Sequence, residues 1–101
     1  MNRAHPLLHM DDLYALLGVE ADASENVVKA AYRRKASEFH PDRNHSPDAP
    51  TKFRAIQEAY ETLSDIQKRQ HYDENRRRSL LENPLETARQ LWQTYLNRVL
   101  Y

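Results

Sequence analysis

The stretch Tyr32-Arg33-Arg34-Lys35-Ala36-Ser37-Glu38-Phe39-His40-Pro41-Asp42-Arg43-Asn44 decides how the chain is read. A basic amphipathic segment runs directly into a proline. Pro41 has no amide hydrogen and biases the residue before it away from helical torsions, so a helix ends near Phe39 or His40. The corner that follows is stiff and presents an imidazole and a carboxylate beside a row of cations. Such a corner suits docking onto a partner of matching charge better than it suits catalysis.

Working outward, the N-terminal side supplies a second helix. Val28, Ala31, Tyr32 and Phe39 recur at helical spacing, while Lys29, Arg33 and Arg34 fall toward the other side. Ser24 is placed to cap this helix, and Glu25 suits the positive end of its dipole. Before it, Asp11 to Leu17 reads as a short helix carrying Leu13, Leu16 and Leu17, with Tyr14 flanking them. Gly18 supplies a left-handed C-terminal cap, and Val19 folds back as its apolar contact.

On the C-terminal side, His45 to Pro50 is rich in turn formers and reads as an exposed loop. From about Thr51 to Ser64, Phe53, Ile56, Tyr60 and Leu63 form one apolar stripe with Ala59 beside them. Two helices of similar length joined by one loop pack antiparallel, with the first helix closing the third side. Asp65 caps a fourth helix, Ile66 to about Arg78, anchored by Ile66 and Tyr72 and otherwise charged. Asn83-Pro84-Leu85-Glu86 starts a fifth, with asparagine as cap, proline at the first helical position and glutamate completing a capping-box variant. Leu85, Ala88, Trp92, Tyr95 and Val99 form its apolar stripe, widened by Leu91, Leu96 and Leu100.

Composition limits the alternatives. The 101 residues suffice for one small domain. Fifteen basic and fifteen acidic residues cancel, so electrostatic recognition rests on local segregation of charge. Cysteine is absent, which excludes thiolate chemistry, and a single glycine excludes a phosphate-cradling loop. Met1 to His9 lacks the long apolar run of a signal peptide, and no stretch has the apolar length of a membrane span. A soluble cytoplasmic protein that needs no cofactor, metal or membrane is the expectation. His5 and His9 flank Pro6, and His40 and His45 span a loop, so neither pair makes a zinc site. Without a nucleophile or carboxylate cluster, His40 and Asp42 do not make a catalytic pair, and no catalytic residue is assigned.

Taken in order, Tyr14-x-x-Leu17-Gly18, Ala31-Tyr32-Arg33-Arg34, His40-Pro41-Asp42-Arg43-Asn44, Lys52-Phe53 with Ile56-x-x-Ala59-Tyr60-x-x-Leu63-Ser64-Asp65, and Lys68-Arg69-x-x-Tyr72-Asp73 resemble the J-domain family of DnaJ-like co-chaperones. The resemblance covers roughly Asp11 to Arg78. It implies an all-α fold: a hairpin of helices two and three with two shorter flanking helices, here followed by an extra amphipathic helix. The chain then divides into a tail (1–10), a J-domain (11–78) and a C-terminal helical extension (79–101). The implied function is stimulation of ATP hydrolysis in a DnaK-type (heat shock 70 kDa) chaperone, with the ATPase site in that partner.

The resemblance places the docking surface on Lys29, Tyr32, Arg33, Arg34, His40, Pro41, Asp42, Asn44, Phe53 and Arg54. It gives the cations the encounter with acidic partner surface, Asp42 a pairing with a chaperone arginine, His40 a bracing role and Pro41 a shape-fixing one. Two residues depart from the family pattern. Glu38 stands where a basic residue is usual, and Lys35 where leucine is common, so its stem snorkels. The alternative reading is a nucleic-acid-binding module built on the basic helix and Arg76-Arg77-Arg78. The long loop from Pro41 to Pro50 and the zero net charge count against it, so no nucleic-acid partner is expected. Leu85, Trp92, Tyr95 and Val99 either pack back onto the module or form a surface for self-association or for a client.

Overall fold

A computed structural model describes residues 11–100, with side chains for residues 11–97. The tail at 1–10 and the side chain of Val99 lie outside the described residues. Five helices follow one another, with no strand among the described residues: α1 Leu13–Leu17, α2 Glu25–Glu38, α3 Ala49–Leu63, α4 Ile66–Glu82 and α5 Pro84–Leu100.

Local chemistry sets most of these limits. The Asp12 carboxylate accepts from the amides of Tyr14 and Ala15 and starts α1. Gly18 stops it in the left-handed region, φ 76° and ψ 34°, where its amide donates to the Ala15 carbonyl and Val19 donates to that of Tyr14. Ser24 caps α2 through the Val27 amide, and Asp65 caps α4 through that of Lys68. The loop before α3 is shorter than its composition suggests. α3 begins at Ala49, which is buried, and Pro50 occupies its first turn, where a missing amide hydrogen breaks no helical bond.

α2 and α3 run antiparallel, as two pairings along their length require. Phe39 lies beside Lys52 at the corner, and Tyr32 stacks on Tyr60 farther along with ring centroids 4.2 Å apart. The core is Tyr14, Leu17, Val28, Ala31, Ile56, Ala59 and Leu63. Ala31 and Ala59 are small enough to let the two helix backbones approach closely. Fully burying residues of the size of Leu17 and Leu63 stabilises by about 1.5 to 3 kcal/mol each.

α4 holds this core by polar contacts instead of by an apolar stripe. Ile66, expected as an anchor, is 63% exposed. The work falls to Tyr72, whose hydroxyl donates to the Asp11 carbonyl at 2.7 Å and accepts from the Leu13 amide at 3.0 Å. Arg69 donates to the Tyr14 hydroxyl and to the carbonyls of Ala21 and Ala23. The Tyr14 hydroxyl in turn donates to the Asp73 carboxylate at 2.5 Å. Burial, reinforced by that carboxylate, pushes the Tyr14 phenol up, and burial pushes the Tyr72 phenol well above its ordinary range.

α4 continues unbroken past Arg78 to Glu82, so the junction expected between Arg78 and Ser79 falls inside a helix. After Asn83 the chain turns into α5, which packs on α4 and α1. The Asn83 amide donates to the Ser79 carbonyl, while the Glu86 carboxylate engages Arg89 and Gln90. α5 buries Thr87, Leu91 and Thr94, a set spaced by four and three. Both threonines hide their polarity by donating to carbonyls, Thr87 to Ser79 and Thr94 to Gln90. Thr94 also accepts from the Asp12 amide at 3.3 Å. The aromatic stripe therefore faces out: Leu85 is 87% exposed, Trp92 58% and Tyr95 40%.

Candidate functional site

The corner between α2 and α3 is fixed by a set of short-range hydrogen bonds. Phe39 ends α2 with its amide on the Lys35 carbonyl. The His40 carbonyl then accepts from the amides of both Arg43 and Asn44 at 2.9 Å, closing a turn with Pro41 at its second position. Inside that turn the Asp42 amide donates to His40 Nδ1 at 3.1 Å. An acceptor at Nδ1 means that the ring carries its proton on Nε2. The Asp42 carboxylate approaches Nδ1 at 3.7 Å, beyond hydrogen-bond reach.

Asn44 closes the corner from the other side. Its amide group donates to the Glu38 carbonyl at 3.1 Å, and its side-chain oxygen accepts from the Ser46 amide at 3.0 Å. One side chain thus caps the end of α2 and starts the next turn. Arg43 bends back to donate to the Ser37 hydroxyl at 2.5 Å. The His40 ring meets Phe53 of α3 edge-on, centroids 5.6 Å apart and planes at 79°, an arrangement favoured by the ring quadrupoles. Lys52 lies over the Phe39 ring and pairs with Asp48.

The structure brings the sequence-derived residues onto the hairpin in two groups. Lys29, Arg33, Arg34, His40, Pro41, Asp42 and Arg54 are exposed. The Asp42 side chain is 88% exposed, the greatest freedom of any charge at the corner for which a pairing is recorded. Tyr32, Asn44 and Phe53 are half-buried and hold the shape of this surface. Lys29 stands beside Tyr60, Leu63 and Ser64, at the end of the hairpin away from the corner. Lys35 and Glu38 lie on the rim of a groove of about 410 Å³ that also takes in Leu16, Phe39 and Ile56, and Thr94 of α5.

Sequence reasoning missed the bracing by Arg43 and the clamp built by Arg69, Tyr14 and Asp73. Their spacing was visible, but polar contacts leave no hydrophobic periodicity. No helix among the described residues is long and apolar enough to cross a membrane.

An antiparallel helical hairpin bent at a locked His-Pro-Asp corner, seated against a short first helix and clamped by a fourth, is the architecture of a J-domain. The DnaJ domain family matches residues 12–73, and the chain belongs to that family. It is 57% identical over 63 residues to the chaperone protein DnaJ of Lactiplantibacillus plantarum, covering 62% of this chain and 17% of that protein. Over 64 residues it is 59% identical to the chaperone protein DnaJ of Limosilactobacillus fermentum, covering 63% of this chain and 17% of the relative. It is 56% identical over 64 residues to that of Salinibacter ruber, covering 62% and 16%. The match therefore spans about a sixth of the length of these relatives, and α5 lies beyond the family match.

Proposed function

We propose that this protein is a co-chaperone that docks on a DnaK-type chaperone through α2 and the His-Pro-Asp corner and stimulates its ATP hydrolysis. The observation that carries the reading is the corner itself. A backbone closed by His40 and Asn44 leaves one carboxylate, Asp42, projecting into solvent, so little ordering remains to be done when a partner arrives. Lys29, Arg33 and Arg34 on α2, with Arg54 on α3, supply a positive field that steers an acidic surface toward the corner. Asp42 then pairs with a partner cation, and a charge-assisted bond made in a desolvated interface is stronger than one in water. His40 and Pro41 act as positioning residues. α5 packs on α1 and α4, and leaves the basic stripe and the corner accessible. The nucleotide chemistry belongs to the partner.

The test is single-turnover ATP hydrolysis by a DnaK-type chaperone with the intact protein, His40→Gln or Asp42→Asn. Stimulation by the first and little by either variant is expected. Equal stimulation by all three removes the corner from the mechanism, and no stimulation by the intact protein removes the function.

A further inference from the structure

We infer that Ser37 is a phosphorylation site for an arginine-directed protein kinase, and that phosphate there offsets the basic stripe and weakens docking. The second half rests on the function proposed above. Ser37 lies in the last turn of α2, which ends at Glu38. Its hydroxyl already accepts from a guanidinium nitrogen of Arg43 at 2.5 Å. Arg33 and Arg34, four and three residues earlier, are exposed, and positions so spaced are neighbours on a helix surface. Three arginines thus border one hydroxyl.

The structure chooses between two serines that sequence alone ranks the other way. Ser79 directly follows Arg76-Arg77-Arg78, whereas Ser37 follows Arg33-Arg34-Lys35 with Ala36 between. Kinases of this class select a substrate by pairing its upstream arginines with carboxylates of their own cleft. Ser79 is fully buried inside α4, where the Thr87 hydroxyl of α5 donates to its carbonyl. Its arginines are engaged as well, Arg76 with Asp12, Arg77 with Glu74 and Arg78 with Asn75. Presenting Ser79 to an enzyme means undoing the middle of α4 and its seat on α5. Ser37 is half-buried at a helix end, where the terminal turn frays without disturbing the core.

In the transfer, Ser37 Oγ attacks the terminal phosphorus of a nucleoside triphosphate, the hydroxyl proton passes to the kinase, and the nucleoside diphosphate departs. The product carries a charge of about −1.5 to −2 beside Arg43, so the single contact made there becomes an ion pair. The helix dipole opposes a phosphate at the C-terminal end of α2, and the bordering arginines offset that opposition. Set against the exposed cations Lys29, Arg33, Arg34 and Arg54, the new charge removes roughly half of the field that steers an acidic partner.

The test incubates the intact protein with ATP and the catalytic subunit of cyclic-AMP-dependent protein kinase, then maps the product by mass spectrometry. One phosphate on Ser37 is expected, and none on that residue's variant Ser37→Ala. In the purified phosphoprotein the phosphorus resonance should titrate below the value of about 6 of an unpaired phosphoserine, and Arg43→Gln should move it back. At low salt, half-maximal stimulation of a DnaK-type chaperone should need on the order of tenfold more phosphoprotein than unmodified protein. Kinase-treated and untreated Ser37→Ala should not differ. Phosphate on Ser79, or on neither serine, overturns the site, and an unshifted titration overturns the arginine border. Phosphate on Ser37 with unchanged half-maximal stimulation overturns the regulation. Should the unmodified protein itself fail to stimulate, the docking reading falls, while the mass and the phosphorus titration still decide the site.

Discussion

The backbone amide of Asp42 donates to Nδ1 of His40 two residues earlier, at 3.1 Å, so the imidazole that precedes the proline is tied to the backbone that follows it. The histidine is a strut within the turn, bonded to the backbone on the far side of the proline.

Replacing that strut gives a local signal. His40→Ala removes the acceptor from the Asp42 amide, and a bond worth about 0.5 to 1.5 kcal/mol corresponds to roughly two- to tenfold faster hydrogen exchange there. Exchange at core positions such as Leu63 should not change. Global acceleration would assign His40 to the core instead of the corner.

The basic stripe should separate function from stability. Arg33 and Arg34 are exposed, and reversing both to glutamate should alter the unfolding free energy by no more than about 0.5 kcal/mol per site. Stimulation of the chaperone should fall, and its dependence on salt should flatten, because the steering field has been removed. Unchanged stimulation at low salt would take the stripe out of the interface.

Ser79 is fully buried, and its hydroxyl has no hydrogen-bond partner among the described residues. Ser79→Ala removes an unsatisfied polar atom and raises helix propensity, and is expected to stabilise by about 1 kcal/mol. That corresponds to a rise in Tm of about 4 to 8 °C for a domain of this size, measured by thermal unfolding. A lower Tm would mean that the hydroxyl is satisfied in solution.

The raised phenols predict a loss of stability in alkali. A folded-state value above the unfolded one means that the native protein keeps protons which the unfolded chain releases. The contribution is therefore complete below about pH 10 and is lost as pH rises from there, by about 1.4 kcal/mol per pH unit for each retained proton. Tyr72→Phe gives up the bonds to Asp11 and Leu13 and should be less stable at neutral pH. Its urea midpoint should nevertheless fall less steeply above about pH 10. Parallel curves for the two proteins would show that Tyr72 does not contribute.

The hairpin was legible because each of its signals acts locally. Gly18, Ser24, Asp65 and Pro41 work through their own torsions and capping groups, and the stripes of α2 and α3 follow the helical period. α5 was read from its most apolar stripe, yet it seats itself by threonines that return their hydroxyls to carbonyls and so pack as apolar residues. Ile66 fits the pattern of an anchor, but α4 is held by tyrosine and arginine instead, and hydropathy alone does not register such bonds. At the candidate site the exposed cations and Asp42 could be located from sequence. The inward bonds of Asn44 and Arg43 depend on how the chain turns after Pro41, which only the folded backbone displays.

Asp12 opens the first helix with its carboxylate and hands its amide to Thr94, 82 positions later. On the ribosome that handover waits until nearly all of these residues have left the exit tunnel. α1 is thus made before the other four described helices and receives its full set of neighbours only with the last of them.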